Sequence, residues 1–449
     1  MPFTHRVTSG WLRDLASEPT PTDKWPCIRW DEKLLEDQIR FLDVQAELKV
    51  TCNLAWGYFI DRAWPVPLEN VVDDARRRML KAFVDAAHQR DIKILSGVGI
   101  YSWGFDDVIQ KIPGVSRGHR NAMCPFQPDA WDWQRRVLDF QMDPKWNLDG
   151  LSLQSADQGR CECVDCAKRS PAEHHADILI RSAEYVRSQR PDWIIGQAGW
   201  GLPIDMGDGF EHVVRTSKAF DYMVGVQERT AFAGKRPQVV DDLHCAFGSV
   251  GGVFLEPPQH WDRFRWCLPT GLGSARALRK LYEDGGRACE YFYRTFLNPV
   301  EEVSWRTGTR ILSNPEATPE DSLEAAIEAV YATVGGITRS LADWFARAKA
   351  AYFSRVDFKE GQGPISLEPL VWKENPSACG PPVYLSGPMT PERRADYGQE
   401  LRSLQAELDD IQIPNQEAVN GTKRSIAGTL SDIASLQDVP HHKIKILLS

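Results

Sequence analysis

The feature that most constrains this chain is an eightfold alternation of strand-like and helix-like stretches across its first 293 residues. Short runs, nearly continuous in apolar or small residues, occur at Arg6–Trp11, Lys49–Trp56, Ile92–Tyr101, Leu148–Ser155, Trp193–Gly199, Asp221–Gln227, Gly252–Glu256 and Ala288–Tyr293. Between them lie segments of helical character, at Asp31–Leu42, Leu68–Arg90, Asp129–Phe140, Asp177–Gln189, Phe210–Ala219, Gln238–Phe247 and Ser274–Tyr282. Strands that lack a polar face belong to a parallel sheet covered on its outside. Eight strand–helix units, in ~250 residues or more, close as a (β/α)8 TIM barrel. The competing architecture is an open doubly wound sheet, but no G-x-G-x-x-G follows the first strand, which weakens its dinucleotide-binding version. The expected organisation is therefore an α/β barrel over residues 1–315 and a helical extension over 316–449. In the extension, Pro319–Phe353 is helix-forming with an interruption at Gly335–Gly336. A Pro/Gly-rich loop covers Gly361–Pro391, and Glu392–Ile411 and Gln416–Leu436 are further helices. These last helices are expected to serve packing or homo-oligomer formation.

Charge and hydropathy narrow the partners. The formal net charge of -9 carries no dense Lys/Arg run, which argues against nucleic acid. The first residues have no apolar core of a secretion signal, and no stretch reaches the ~20 apolar residues of a membrane span. No membrane partner is expected, and the cytoplasm is the expected compartment. Most of the 10 cysteines lie singly in apolar segments and are expected to be reduced.

One stretch makes a sharper claim. Leu148–Ser155 is strand-like, and it runs directly into Asp157, Gln158, Gly159 and Arg160, then Cys161, Cys163 and Cys166. A strand that ends on an acid and a tight polar loop is what a barrel presents at its catalytic rim. Other strand ends supply matching chemistry: Trp56 and Tyr58, Trp103, Trp200, Glu228 and Arg229, Glu256 and Gln259. Tryptophans can cover the apolar face of a pyranose while amides and arginines bond its hydroxyls. Cleaving a glycosidic bond needs two carboxyl groups, one protonating the leaving oxygen and one activating water or attacking carbon. Asp157 is the expected general acid, with Glu228 or Glu256 as its partner. Trp56, Tyr58, Trp103, Gln158, Arg160, Trp200, Arg229 and Gln259 are the expected substrate contacts. Glu162, Glu290 and Asp106 are held in reserve, with Glu290, lying mid-strand, expected to be structural.

The cysteine cluster poses a separate question. C-x-C-x-x-C brings Cys161, Cys163 and Cys166 within reach of one soft metal, and Zn²⁺ takes four N or S ligands. A fourth would come from Cys124, from His174 or His175, or from another cysteine folded nearby. A structural zinc and buried free thiols are both open readings. No cofactor is expected for catalysis, since a closed thiolate site leaves no position for water.

These residues resemble a known family. Asn121–Asp129, reading Asn-Ala-Met-Cys-Pro-Phe-Gln-Pro-Asp, is followed by a helix, the fourth strand and the Asp157–Cys166 loop. The pattern is similar to barrel glycosidases related to the alpha-glucuronidases, in which a C-P-x-x-P-(D/E) segment precedes an acidic, glycine-rich loop with C-x-C-x-x-C. The resemblance covers about residues 95–170. It implies a glycoside hydrolase with an acid after the fourth strand and carboxylates after the sixth and seventh, where Asp157, Glu228 and Glu256 stand. Relatives often have Asp-Gly-Gly where this chain has Asp157-Gln158-Gly159, and they usually carry an α/β domain before the barrel. The expected activity is hydrolysis of an oligosaccharide or small glycoside. The rivals are a metal-dependent sugar-acid lyase or isomerase on the same barrel, and a sugar-binding barrel that leaves its ligand intact.

Overall fold

The computed structural model describes residues 1–11, 31–60, 63–117, 121–155, 159–199, 212–213, 216–225, 244–252, 267–292, 298–356, 365–367, 385, 389–437 and 444–446. Eight strands pair in sequence order into a closed barrel. They are β1 (His5–Trp11), β2 (Cys52–Trp56), β3 (Lys93–Ile100), β4 (Gly150–Ser155), β5 (Ile194–Gly199), β6 (Tyr222–Gly225), β7 (Ala246–Gly252) and β8 (Ala288–Phe292). Every pairing is parallel, and β8 returns to β1 with Val7 opposite Glu290. Helices α1 (Glu32–Glu47), α2 (Asp74–His88), α3 (Asp106–Lys111), α4 (Pro128–Met142), α5 (Pro171–Gln189) and α6 (Gly271–Glu283) fall between strands.

Two boundaries differ from the sequence reading for local reasons. The first turn of α5 is built from Ser170, whose hydroxyl accepts from Glu173 N–H while the Glu173 carboxylate accepts from Ser170 N–H. This capping box starts the helix six residues before Asp177. The larger difference is β7, which occupies Ala246–Gly252 rather than Gly252–Glu256, and Ala246 and Phe247 are strand rather than helix. Its sequence, Ala-Phe-Gly-Ser-Val-Gly-Gly, has poor intrinsic strand propensity. Packing overrides this: a Cβ on Gly248 would stand 1.7 Å from the Ala288 carbonyl oxygen, so only glycine lets β7 and β8 approach.

The barrel interior has an apolar lower part and a polar middle. Val7, Cys52, Leu54, Leu95, Tyr222, Val224 and Ala288 pack together inside it. Further along the strands, Glu290 is 2% exposed and gathers partners from across the barrel. Its Oε1 accepts from Ser152 Oγ at 2.7 Å and from the Tyr222 hydroxyl at 2.8 Å. A third hydrogen bond comes from Ser9. Residues on β1, β4 and β6 are thereby tied to β8. Burial penalises the ionised carboxylate and raises Glu290 to about 7, although the three hydroxyl donors pull the other way.

The amino-terminal rim is built for stability. The Asp149 carboxylate, just before β4, accepts from Ile94 N–H on β3 and contacts His88. Asp221, just before β6, does the same for Ile195 N–H on β5 and also meets Arg187. Thr51, before β2, accepts from Arg6 N–H on β1. At three strand pairs, then, the residue leading into an even-numbered strand caps its neighbour.

Beyond β8, α7 (Pro299–Ser313) places Trp305, Ile311 and Leu312 in the barrel core and Val300 and Val303 in a second one. That second core joins α8 (Pro319–Tyr331), α9 (Gly336–Phe353), α10 (Pro391–Asp410) and α11 (Gln416–Ser435). The break between α8 and α9 falls where Ala332 and Gly335 take left-handed φ values of 53° and 58°. Leu401, Leu404 and Leu408 of α10 and Val419 and Ile426 of α11 are buried within the chain itself. A short antiparallel pair, β9 (Ile365–Leu367) and β10 (Ile444–Ile446), completes the described elements. No described helix is long and apolar enough to cross a membrane.

The Glu290 network generates a pH signature. Between pH 4.5 and about 7 the folded protein keeps a proton that the unfolded chain has released, so this contribution is largest below pH 4.5 and is lost as pH rises through 7. Denaturant unfolding should show a decline of about 3 kcal/mol over that window from this group. Glu290→Gln, which keeps an acceptor for the hydroxyls but cannot ionise, should flatten the decline. An unchanged pH profile in the variant would remove Glu290 as its source.

Candidate active site at the carboxyl rim

All eight carboxyl ends share one rim because the barrel is closed and wholly parallel. Among the described residues, its best-defined sector spans β2 to β5. The Trp56 side chain projects inward at the end of β2 and fills the space over β3: a Cβ on Gly97 would lie 2.4 Å from its ring. The chain turns sharply after β3, where Tyr101 adopts a left-handed φ of 61°, an uncommon state for a bulky residue. The turn is held by Gln134, whose Oε1 accepts from Tyr101 N–H at 2.9 Å, and by Met123, whose N–H donates to the Tyr101 carbonyl at 2.7 Å. It folds Trp103 back over the strand, where a Cβ on Gly99 would meet the Trp103 carbonyl oxygen at 2.0 Å. The Trp56 and Trp103 rings then meet edge to face, with centroids 5.5 Å apart.

This arrangement bears on the expected sugar platforms. Trp56 and Trp103 are 5% and 3% exposed and belong to the barrel core cluster. Tyr58 faces the other way. Its hydroxyl donates to Asn53 Oδ1, Asn53 bonds Gln45 of α1, and its ring lies against Phe83 of α2. Tyr58 thus packs into the helical layer outside the barrel. The Arg160 guanidinium donates to the carbonyls of Cys166 and Arg169, bracing the loop after β4. Asp157, Gln158, Trp200, Glu228, Arg229, Glu256 and Gln259 lie outside the described residues. By chain position, Asp157 follows the end of β4 by two residues, Glu228 follows β6 by three and Glu256 follows β7 by four.

The loop after β4 carries the described residues best suited to a metal. Cys161, Cys163 and Cys166 converge with Cys124, from the segment after β3, and the four sulfurs lie within 4.8 Å of one another. Cys124, Cys161 and Cys166 are fully buried, and Cys163 is partly exposed. Of the fourth-ligand options open to the sequence, Cys124 is the one that joins the set. His174 and His175 lie on α5 outside it, and burial lowers them to about 4 and about 3, which leaves both rings neutral at physiological pH.

The group that sequence reasoning set aside is Glu290, with its partners Ser152 and Tyr222. The trace it leaves in the sequence is a polar residue at an inward position of strands otherwise filled by apolar or small residues, at Ser9, Ser152 and Glu290.

No protein-family model matches the chain, and no curated protein sequence does. Solved structures do. One is a GH138 enzyme described as targeting the pectin rhamnogalacturonan II, with a TM-score of 0.57 and 11% identity over 97% of this chain. This chain spans 58% of that enzyme's length. Another is a variant of the Thermobaculum terrenum O-GlcNAc hydrolase, with a TM-score of 0.50 and 10% identity, covering 91% of this chain and 78% of the other. What they share with it is the fold. Both neighbours are glycosidases.

The tryptophan packing can be tested directly. Trp56→Ala should cost about 3–5 kcal/mol of stability, as truncation of a buried aromatic does. Gly97→Ala should cost about 1–3 kcal/mol by forcing the Trp56 ring aside. Urea denaturation followed by tryptophan emission reads both; a Trp56→Ala protein with an unchanged midpoint would show that the ring is not part of the core.

Proposed function

We propose that this protein is a glycoside hydrolase that cleaves an oligosaccharide or small glycoside at the carboxyl rim of its barrel. The observation that carries the reading is topological. Three carboxylates, Asp157, Glu228 and Glu256, follow the carboxyl ends of β4, β6 and β7, all of which open on the same rim of a closed parallel barrel. Conserving chemistry on that rim while using the opposite end for stability is the general habit of the fold. The two structural neighbours support it, being a GH138 enzyme and an O-GlcNAc hydrolase. Their named targets differ, so the support extends to glycosidic bonds and not to one sugar.

In this reading Asp157 protonates the leaving oxygen, and Glu228 or Glu256 activates water or attacks the anomeric carbon. A free aspartic acid titrates near ~3.9, so the acid would need burial or a neighbouring carboxylate to hold its proton at neutral pH. The separation of the paired carboxyl groups then sets the stereochemistry: about 5–5.5 Å for retention, about 6.5–9.5 Å for inversion. Gln158, Trp200, Arg229 and Gln259 are proposed to bond or stack on the sugar, with Arg160 holding the loop that presents Asp157. Trp56 would form the floor beneath them.

Kinetics on an aryl glycoside that the wild-type protein cleaves provide the test. Asp157→Asn, Glu228→Gln and Glu256→Gln should each fold normally, and at least two should lower kcat by roughly 10² or more. Near-wild-type turnover in all three would place the chemistry elsewhere.

A further inference from the structure

We infer that Cys124, Cys161, Cys163 and Cys166 bind one Zn²⁺ as a structural tetrathiolate centre that staples two loops of the carboxyl rim together. This assignment is independent of the glycosidase reading.

Distance is the first support. Cys124 Sγ lies 3.8 Å from Cys163 Sγ and 3.9 Å from Cys166 Sγ. All four sulfurs fall within 4.8 Å of one another. Four sulfurs at ~2.3 Å from a tetrahedral zinc are separated by ~3.8 Å along each edge, so the observed set is already close to one coordination sphere. A disulfide would need ~2.05 Å and would use only two of the four. Sulfurs this close together surround a single ion rather than a multi-iron cluster. A thiolate-only donor set selects a soft, tetrahedral metal over Mg²⁺ or Ca²⁺.

The surroundings are the second support. The Cys163 sulfur accepts hydrogen bonds from the backbone N–H groups of Asp165 and Cys166, and the Cys124 sulfur accepts one from Phe126 N–H. Backbone donors aimed at sulfur, two and three residues on from the cysteine, stabilise bound thiolates and fix their direction. The Arg117 guanidinium lies near Cys124 and Cys163 and is anchored by Asp165 at 2.6 Å, while Lys168 holds the other oxygen of the same carboxylate. A zinc with four thiolates carries excess negative charge, and Arg117 offsets it. The backbone around Cys124 is braced independently: its N–H donates to the Val115 carbonyl, and its own carbonyl accepts from Gln127 N–H.

The consequence is mechanical. Cys124 belongs to the segment between β3 and α4, and the other three belong to the loop between β4 and α5. One ion would join two adjacent loops where they leave the barrel, immediately beyond the strand that leads to Asp157.

Elemental analysis of the purified full-length chain should find about one zinc per molecule. In the folded protein these four thiols should resist alkylation, and a strong chelator should expose them while lowering the melting temperature by several degrees. Replacing the zinc with Co²⁺ should give the intense sulfur-to-cobalt and tetrahedral visible bands of a thiolate site. Cys163→Ser, at the one partly exposed position, should lose most of the zinc; because a variant can fail to fold, the alkylation and cobalt measurements on the unaltered chain stand by themselves. Protein that is folded, metal-free and reactive at all four thiols would overturn the assignment. So would iron in place of zinc, or full zinc retention in Cys163→Ser.

Discussion

The barrel is organised around a carboxyl group where a carboxylate is costly. Glu290 sits among the inward side chains of eight parallel strands, and its hydrogen-bonding partners among the described residues are the hydroxyls of Ser9, Ser152 and Tyr222. An ionised acid in such a place would carry a desolvation penalty of several kcal/mol. Burial and hydroxyl donors together settle the group near the border of neutrality, at about 7. Because those hydroxyls come from β1, β4 and β6, the price of placing the acid there is shared by strands on opposite sides of the barrel. Its satisfaction therefore depends on closure: a sheet that failed to bring β8 back to β1 would leave the carboxyl short of donors.

The apolar layer of Val7, Leu54, Leu95 and Val224 lies toward one end of the barrel, and the Glu290 network lies in its middle. The amino-terminal rim is taken up by Asp149, Asp221 and Thr51 capping neighbouring strands. The opposite end of the closed, parallel barrel is the carboxyl rim. There Trp56 covers the glycine-lined wall of β3, and the loops after β3 and β4 are drawn together at four cysteines.

How much of this was legible in the sequence follows from which force decides each element. The apolar runs of β3 and β5 declare themselves, because their propensity and their burial agree. β7 does not, because close approach to Ala288 demands glycine, and glycine reads locally as a loop. The helix α7 is likewise hidden in the sequence, where polar Glu301, Glu302 and Arg306 interrupt the residues that reach into both cores. Tryptophans at strand ends read as platforms for a ligand; what local sequence does not reveal is their packing, with the Trp56 ring over Gly97 and the Trp103 backbone over Gly99. The direction of Tyr58 depends on Asn53 and on α2, which periodicity alone does not reveal. Three of the four cysteines were marked by their spacing. The fourth, remote in sequence, was one option among several until the fold brought β3 and β4 side by side.

The central claim is that the carboxyl rim hydrolyses a glycosidic bond with carboxyl groups of the chain. It is tested most directly by following the anomeric protons of a panel of glycosides by NMR during incubation with the purified protein. The account predicts that at least one glycoside is cleaved, that a single anomer of the product appears before mutarotation, and that added Mg²⁺ or Mn²⁺ makes no difference. A glycoside that binds yet stays intact through long incubation, or a turnover that depends on the added divalent metal, would contradict it.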